Sequence, residues 1–202
     1  MTTIVALTRH GQTDWNSVGK FQGSSDIPLN ETGLEQASLA VPFLRSFIEE
    51  RGTSWDMLRY SPLQRAAETG RIIADALDIE DRQPMPALVE RDWGGAEGRT
   101  KPEINERYPQ LVGLPQRQAR DAIPGVEPRR LVIDRGMFAL TALTELYPNN
   151  HIIATTHGSI LRYTVEHILG GTLGVVPNLG VVVLELRLEN GRRFANLLDK
   201  SF

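Results

Sequence analysis

Two histidines, each preceded by an apolar run and followed by glycine, carry the strongest chemical signal in this chain of 202 residues. Ile4-Val5-Ala6-Leu7 leads into Arg9-His10-Gly11, and Ile152-Ile153-Ala154-Thr155-Thr156 leads into His157-Gly158. Short apolar runs of this kind read as buried strands. Histidines at the ends of two parallel strands meet at one sheet edge, however far apart they lie in sequence. A neutral imidazole nitrogen attacks phosphorus well when it is held in line and the phosphoryl oxygens are neutralised. Arg9 and Arg65 are the candidate neutralisers. Ser61-Pro62 reads as a helix start, with a capping hydroxyl and proline at the first helical position. Arg65 then falls in the first turn, where its guanidinium fork and the helix dipole act on one anion. The same charge lowers the proton affinity of His10 and keeps a lone pair free. A leaving alkoxide needs a proton. Glu90, at the end of Ala87-Leu88-Val89 and beside a glycine-rich stretch, is the candidate donor, with Asp92 and Glu97 as rivals.

The elements that must position these groups follow from patterning. Residues 3–8 read as a strand, followed by a long polar loop from Gly11 to Asn30. A helix from about Thr32 places Leu34, Ala37, Val41, Leu44 and Ile48 on one face, with a kink expected at Pro42. Met57-Leu58 is a second short strand, and Leu63, Ala66, Ala67, Gly70, Ile73, Ala74 and Leu77 trace a helix face after it. Ala87-Leu88-Val89 is a third short apolar run. Residues 101–127 read as short helix and loop covering something beneath, and a long helix runs from about Pro128 to Tyr147. A strand at 151–155 and a helix bearing Ile160, Leu161, Thr164, Val165 and Ile168 come next, ended by Gly170-Gly171. Val181–Leu188 and Phe194–Leu198 flank Asn190-Gly191, a hairpin pattern with a tight primed turn. Strands alternating with helices predict an α/β fold, a mostly parallel central sheet with helices on both faces and a late hairpin, and ligands at the strands' carboxyl ends.

Composition sets the outer bounds. At 41 % hydrophobic residues the chain can bury a substantial core, and residues 1–202 are expected to form one domain. A net charge of −3 argues against binding nucleic acid or an anionic membrane through the general surface, so attraction for anions must be local. With no cysteine there are no disulfides, thiolate nucleophiles or cysteine-held zinc. Neither a signal-type segment nor an apolar run near the roughly 20 residues of a membrane span is seen, and a cytoplasmic protein is expected.

Arg9-His10-Gly11-Gln12-Thr13 with Trp15-Asn16, Gln22-Gly23, Asp26-Ile27-Pro28-Leu29, Gly33 and Gln36-Ala37 forms one block of a longer pattern. Ser61-Pro62-Leu63-Gln64-Arg65-Ala66 with Glu68-Thr69, Val89-Glu90 with Gly94, Glu97 and Gly98, and Thr156-His157-Gly158 complete it in order. Over nearly the whole chain this resembles the histidine phosphatase superfamily, in its phosphoglycerate-mutase-like branch (branch 1). The resemblance implies that His10 is phosphorylated during turnover and that Arg9, Arg65 and His157 hold the phosphoryl group. It implies that Glu90 acts as acid and then base, and that Asn16, Gln22, Gly23 and Gly158 lie against phosphate or substrate. Ala96, where relatives commonly carry an aromatic residue, and Val126-Glu127-Pro128, in place of a common Gly-Glu-Ser, are departures on the substrate side.

These readings favour a metal-independent phosphomonoesterase for a small phosphorylated metabolite, without cofactor. A phosphoglycerate mutase of the same family is the nearest alternative, and the short stretch between Glu90 and His157 speaks against it. A non-catalytic phospholigand-binding protein is the third reading, opposed by the intact set of five candidate residues. Members of the family often pair, so a homodimer is an option. Ser61 is assigned only a capping role, lacking a nucleophile-elbow context. His151 and His167 are ordinary histidines, and the glycines at 94, 95 and 98 form turns rather than a dinucleotide cradle. Arg99, Lys101, Arg107, Arg117, Arg120, Arg129 and Arg130 could meet a second acidic group, although most are expected to be solvated.

Overall fold

The apolar run behind His10 folds as β1 (Thr2–Arg9), in which Val5, Ala6 and Leu7 are buried. The structure is a computed structural model that describes residues 2–189 and 192–202. β1 pairs in parallel with β4 (His151–Thr156), from Ile4 opposite His151 to Arg9 opposite Thr156. Its other edge pairs antiparallel with β5 (Val181–Glu189), which pairs antiparallel with β6 (Arg192–Lys200). β2 (Met57–Tyr60) lies parallel to both β4 and β3 (Asp81–Pro84), so the sheet order is β3-β2-β4-β1-β5-β6. The sheet is thus parallel from β3 to β1 and closes on the late hairpin β5–β6. The turn expected at Asn190-Gly191 lies outside the described residues.

Alternating side chains of the strands feed two cores, as the period of two requires. Val5, Leu7, Ile152 and Ala154 pack with Ala139, Leu140 and Leu143 of α7 (Arg129–Leu146) and with Leu161 and Val165 of α8 (Gly158–Leu169). Ala6, Leu58 and Ile153 face the other way, toward α3 (Val41–Glu49) and α4 (Gln64–Ala76). The short α1 (Asp14–Ser17) lies in the loop after β1, and α2 (Glu31–Leu39) packs beside α4. Gly170, at φ +64°, ends α8 as expected. Among the described residues no helix is long and apolar enough to cross a membrane.

Three local expectations need correction. Leu34 is 41 % exposed and does not share the buried face, because α2 approaches the sheet edge through Gly33, where a Cβ would collide with the Gln12 backbone. Pro42 does not kink one helix; α2 stops at Leu39 and α3 starts at Val41, so the proline sits in a first turn, where its missing N–H costs nothing. The third strand is Asp81–Pro84 rather than residues 87–89, which lie in and after a 3₁₀ turn. β3 pairs only with β2, and an edge strand tolerates polar side chains. Arg59 of β2 reaches the Asp81 carboxylate at 2.9 Å. The irregular segment after Gly98 forms α5 (Lys101–Arg107) and α6 (Gln116–Asp121), which cover a separate small core of Trp93, Ala96, Ile104, Leu111 and Ile123.

Candidate active site

The register of β1 and β4 places Arg9 opposite Thr156, so His10 and His157 leave the sheet side by side. Their ring centroids are 5.2 Å apart and both rings are buried. The Nδ1 of His10 lies 2.7 Å from the Gly11 carbonyl oxygen. A carbonyl only accepts, so Nδ1 carries the proton and Nε2 keeps the lone pair. Burial, then the charges of Arg9 and Arg65, hold the His10 pKa well below 6.5.

Each arginine is anchored through one part of its fork. Arg9 donates from Nη1 to the Val176 carbonyl at 2.7 Å, and Arg65 donates to the carbonyls of Ser25 and Gly23 at 2.8 Å each. The Nε atoms of both are buried and have no partner among the described residues. Burial pulls the Arg65 pKa down to about 10, opposed by the charges of Glu90, Asp26 and Glu97. Gly158 opens α8 beside Arg9, with room for a Cβ only 3.3 Å from Arg9 Nε. His157 is itself the residue at the cap of α8, whereas the first N–H of α4, that of Gln64, donates to Asp26 at 2.7 Å.

Arg9, His10, Asn16, Gln22, Gly23, Arg65, Glu90 and Gly158 all line one open cavity of about 640 Å³. Glu90 accepts from the backbone N–H groups of Arg91 at 2.7 Å and Ser159 at 3.1 Å, which aims it across the start of α8. Its rivals are engaged elsewhere. Glu97 accepts from the N–H groups of Ser24, Ser25 and Trp93 and from both serine hydroxyls, and Asp92 caps Gly94. Gln22 is buried and its Oε1 has no partner among the described residues, while Oδ1 of Asn16 faces Thr13 and Asn178. Among the described residues no group of three or more His, Asp or Glu side chains could hold a metal ion.

The sequence matches the family described as the histidine phosphatase superfamily (branch 1) over residues 5–195. The chain belongs to that superfamily. It is 36 % identical over 169 residues to a phosphatase of Bacillus subtilis named PhoE and called uncharacterized, covering 84 % of this chain and 79 % of that one. It is 32 % identical over 188 residues to a metal-independent phosphoserine phosphatase of Arabidopsis thaliana, covering 92 % and 77 %. Other relatives are named 2,3-bisphosphoglycerate-dependent phosphoglycerate mutases, in Parvibaculum lavamentivorans and Methylorubrum populi. The fold is that of a mycobacterial glucosyl-3-phosphoglycerate phosphatase solved with VO3, with a TM-score of 0.81 at 22 % identity over 96 % of both chains.

Within this histidine phosphatase fold, two site residues were not legible as such. Ser61 does not cap α4, because Pro62 and Leu63 intervene before the first turn and Leu63 is the residue at the cap. Its hydroxyl lies 2.7 Å from His157 Nε2 and accepts weakly from the Leu63 N–H at 3.4 Å. Asn178 reaches the site from the loop before β5, donating to the His10 carbonyl at 2.9 Å. Nothing in its local sequence marks it; only the antiparallel pairing of β5 with β1 brings that loop to the sheet edge. Glu97, weighed only as an acid, instead fastens the loop whose carbonyls hold Arg65.

Proposed function

We propose that the protein is a metal-independent phosphomonoesterase that works through a phosphohistidine on His10, residues 1–202 acting as one catalytic domain. The observation that carries this reading is the His10 imidazole, neutral, fixed by Gly11 through Nδ1, and under the charges of two guanidiniums whose Nε atoms have no partner among the described residues. Nε2 attacks phosphorus as the ester P–O bond breaks, and Glu90 gives its proton to the leaving alkoxide. Arg9, Arg65 and His157 hold the phosphoryl oxygens, and a donor that strengthens as charge builds lowers the barrier. Glu90, now a carboxylate, takes a proton from a water whose oxygen attacks phosphorus as the P–Nε2 bond breaks. Phosphate leaves and His10 returns to its neutral form. Asn16, Gln22, Gly23 and Gly158 border the bound phosphate. The phosphatase names of the Bacillus and Arabidopsis relatives support hydrolysis over transfer.

The test is phosphate release from a panel of small phosphomonoesters, with and without chelator, beside His10→Ala. Release unaffected by chelator, lost in His10→Ala and accompanied by an acid-labile, alkali-stable phosphoryl label is the expected result. Release abolished by chelator, or retained by His10→Ala, overturns the mechanism. A parallel assay of phosphoglycerate interconversion faster than phosphate release would make the protein a mutase instead.

A further inference from the structure

Where the chain leaves β1, the backbone of His10-Gly11-Gln12 is held by side chains from three distant elements. The His10 N–H donates to the Thr156 carbonyl at 3.0 Å, and the Gln12 carbonyl accepts from the Asn30 N–H at 3.1 Å. Between these two bonds the partners change in kind. Asn178 donates from Nδ2 to the His10 carbonyl at 2.9 Å, the Gly11 N–H donates to Thr69 Oγ1 at 3.0 Å, and the Gln12 N–H donates to Gln36 Oε1 at 3.0 Å. The Gly11 carbonyl is the one that receives Nδ1 of His10. Two successive peptide planes are thus gripped at both ends, His10–Gly11 by Asn178 and Thr69, and Gly11–Gln12 by the imidazole and Gln36.

Gly11 makes such a grip necessary. A Cβ there would stand 2.5 Å from the Gly33 carbonyl oxygen, so only glycine fits, and glycine has more backbone freedom than any other residue. Rotation of either plane would re-aim the imidazole tied to it. The gripping side chains are themselves aimed. Thr69 is fully buried and gives its hydrogen to the Arg65 carbonyl one turn back in α4 at 2.7 Å, which leaves a lone pair for the Gly11 N–H. A carbonyl only accepts, so Asn178 presents its amide nitrogen to His10, and the same nitrogen reaches Asn16 Oδ1 at 3.3 Å. The loop carrying Asn178 is seated on Arg9, whose carbonyl accepts from the Leu179 N–H at 3.2 Å and whose N–H donates to the Gly180 carbonyl at 3.0 Å. Thr69, Gln36 and Asn178 do not line the cavity, so they act through His10.

We propose that Thr69, Gln36 and Asn178 are positioning residues that lock the two peptide planes after His10, and with them the line along which Nε2 attacks phosphorus. The inference rests on reading His10 as the nucleophile. Misplacing a reacting group by about 1 Å costs on the order of a hundredfold in rate. Arg9 and Arg65 keep their own carbonyl anchors, so loosening the clamp slows transfer without releasing the anion.

The experiment compares the unaltered chain with Thr69→Val, Thr69→Ser, Gln36→Leu and Asn178→Ala. Three quantities are measured: the rate at which para-nitrophenyl phosphate labels the protein with a phosphoryl group, inhibition by inorganic phosphate, and hydrogen exchange at the Gly11 and Gln12 amides. T69V, Q36L and N178A are each expected to slow labelling about tenfold to a hundredfold while phosphate inhibition stays within about threefold. T69S keeps the hydroxyl and recovers most of the rate. Thr69 and Asn178 hold one plane, so T69V/N178A slows labelling by less than the product of the two single effects. Labelling within about twofold in T69V and N178A, a full product in the double variant, or a loss that T69S fails to restore overturns the proposal. Amide exchange needs no turnover. N178A leaves Thr69 in place, yet it is expected to speed exchange at Gly11 about tenfold or more, because the plane is released from its other end. Unchanged exchange at Gly11 in N178A overturns the clamp. An unaltered chain that takes no label refutes His10 as nucleophile, and the clamp then stands or falls on that exchange alone.

Discussion

Ser61 and His157 meet at 2.7 Å between Oγ and Nε2, and this contact decides which nitrogen of His157 faces outward in chemistry. The Ser61 oxygen accepts weakly from the Leu63 N–H at 3.4 Å, and we assign its own hydrogen to Nε2. His157 is fully buried, and burial followed by the charge of Arg65 holds its pKa well below 6.5. Nδ1 then carries the proton, and it is the ring nitrogen with no partner among the described residues. Ser61 is a positioning residue in this arrangement, acting through the tautomer of His157.

Ser61→Ala is therefore expected to lower kcat about tenfold to a hundredfold, less than removal of a direct oxyanion donor costs, with KM little changed. Ser61→Thr keeps the hydroxyl and recovers most of the rate. Steady-state kinetics of the two variants against pH separate the roles, since a purely structural serine would leave the pH profile in place and depress Tm instead.

Two buried neutral imidazoles also make stability depend on pH. In the unfolded chain both histidines take up protons near pH 6.5, whereas in the folded chain both pKa values lie well below it. The unfolded state binds more protons as pH falls, so stability is fully present above about pH 6.5 and declines below it. Each imidazole contributes a slope of about 1.4 kcal/mol per pH unit in that window. Urea unfolding at pH 7.5 and 5.5 measures it, and His157→Gln should lose about half of the imidazole contribution. An identical loss with and without His157 would show that other groups set the acid limb.

The placing of the paired histidines was legible because parallel strands buried on both faces read as apolar runs, and the residues just past each run emerge at the sheet edge; the phosphoryl-handling roles of Arg9, His10 and His157 rest on the family resemblance. Arg65 was placed in a first helical turn, although the Ser61 cap that motivated it is absent, and its anion role rests on the family resemblance. β3 was hidden because an edge strand of Asp81, Arg82, Gln83 and Pro84 has no apolar face to signal it. The partners of the site were hidden for a different reason. Ser61, Glu97 and Asn178 act through contacts spanning many residues in sequence, set by tertiary pairing and absent from any local pattern. Charge counts in the variable segment likewise gave no means of separating Arg129, which pairs with Glu166, from Arg120, which makes no ion pair among the described residues.

Gly23 is a position where sequence freedom is absent. Its φ is +59°, its carbonyl accepts from Arg65 at 2.8 Å, and a Cβ there would run into the Glu97 carboxylate. Gly23→Ala combines a left-handed backbone penalty of about 1–2 kcal/mol with displacement of the carboxylate that fastens the loop. Arg65 loses its fixed aim, so KM for the phosphate-bearing substrate rises and Tm falls together. A Gly23→Ala protein with unaltered KM would show that the loop tolerates the shift without moving Arg65.

Arg91 ties the cover over the cavity to the residue beside the candidate acid. It is fully buried, donates from Nε to the Glu127 carbonyl at 2.8 Å and from Nη2 to Asp121 at 2.7 Å, and lies 4.6 Å from the Trp93 ring centre. Its backbone N–H meets Glu90, so one residue links the end of α6 to the acid's orientation. Arg91→Met keeps the bulk and the backbone N–H to Glu90 but removes the side-chain links, leaving the Glu127 carbonyl unpaired in a partly buried setting at a cost of about 1–3 kcal/mol. The α6 cover should loosen first: amide exchange over residues 116–123 accelerates, KM rises more than kcat falls, and Tm drops. Arg130, whose pairing with Asp134 at 3.6 Å is solvent-exposed, is the matched control, and Arg130→Ala should leave all three readouts unmoved. Equal effects from the two arginines would mean that charge, rather than the buried tie, governs the cover.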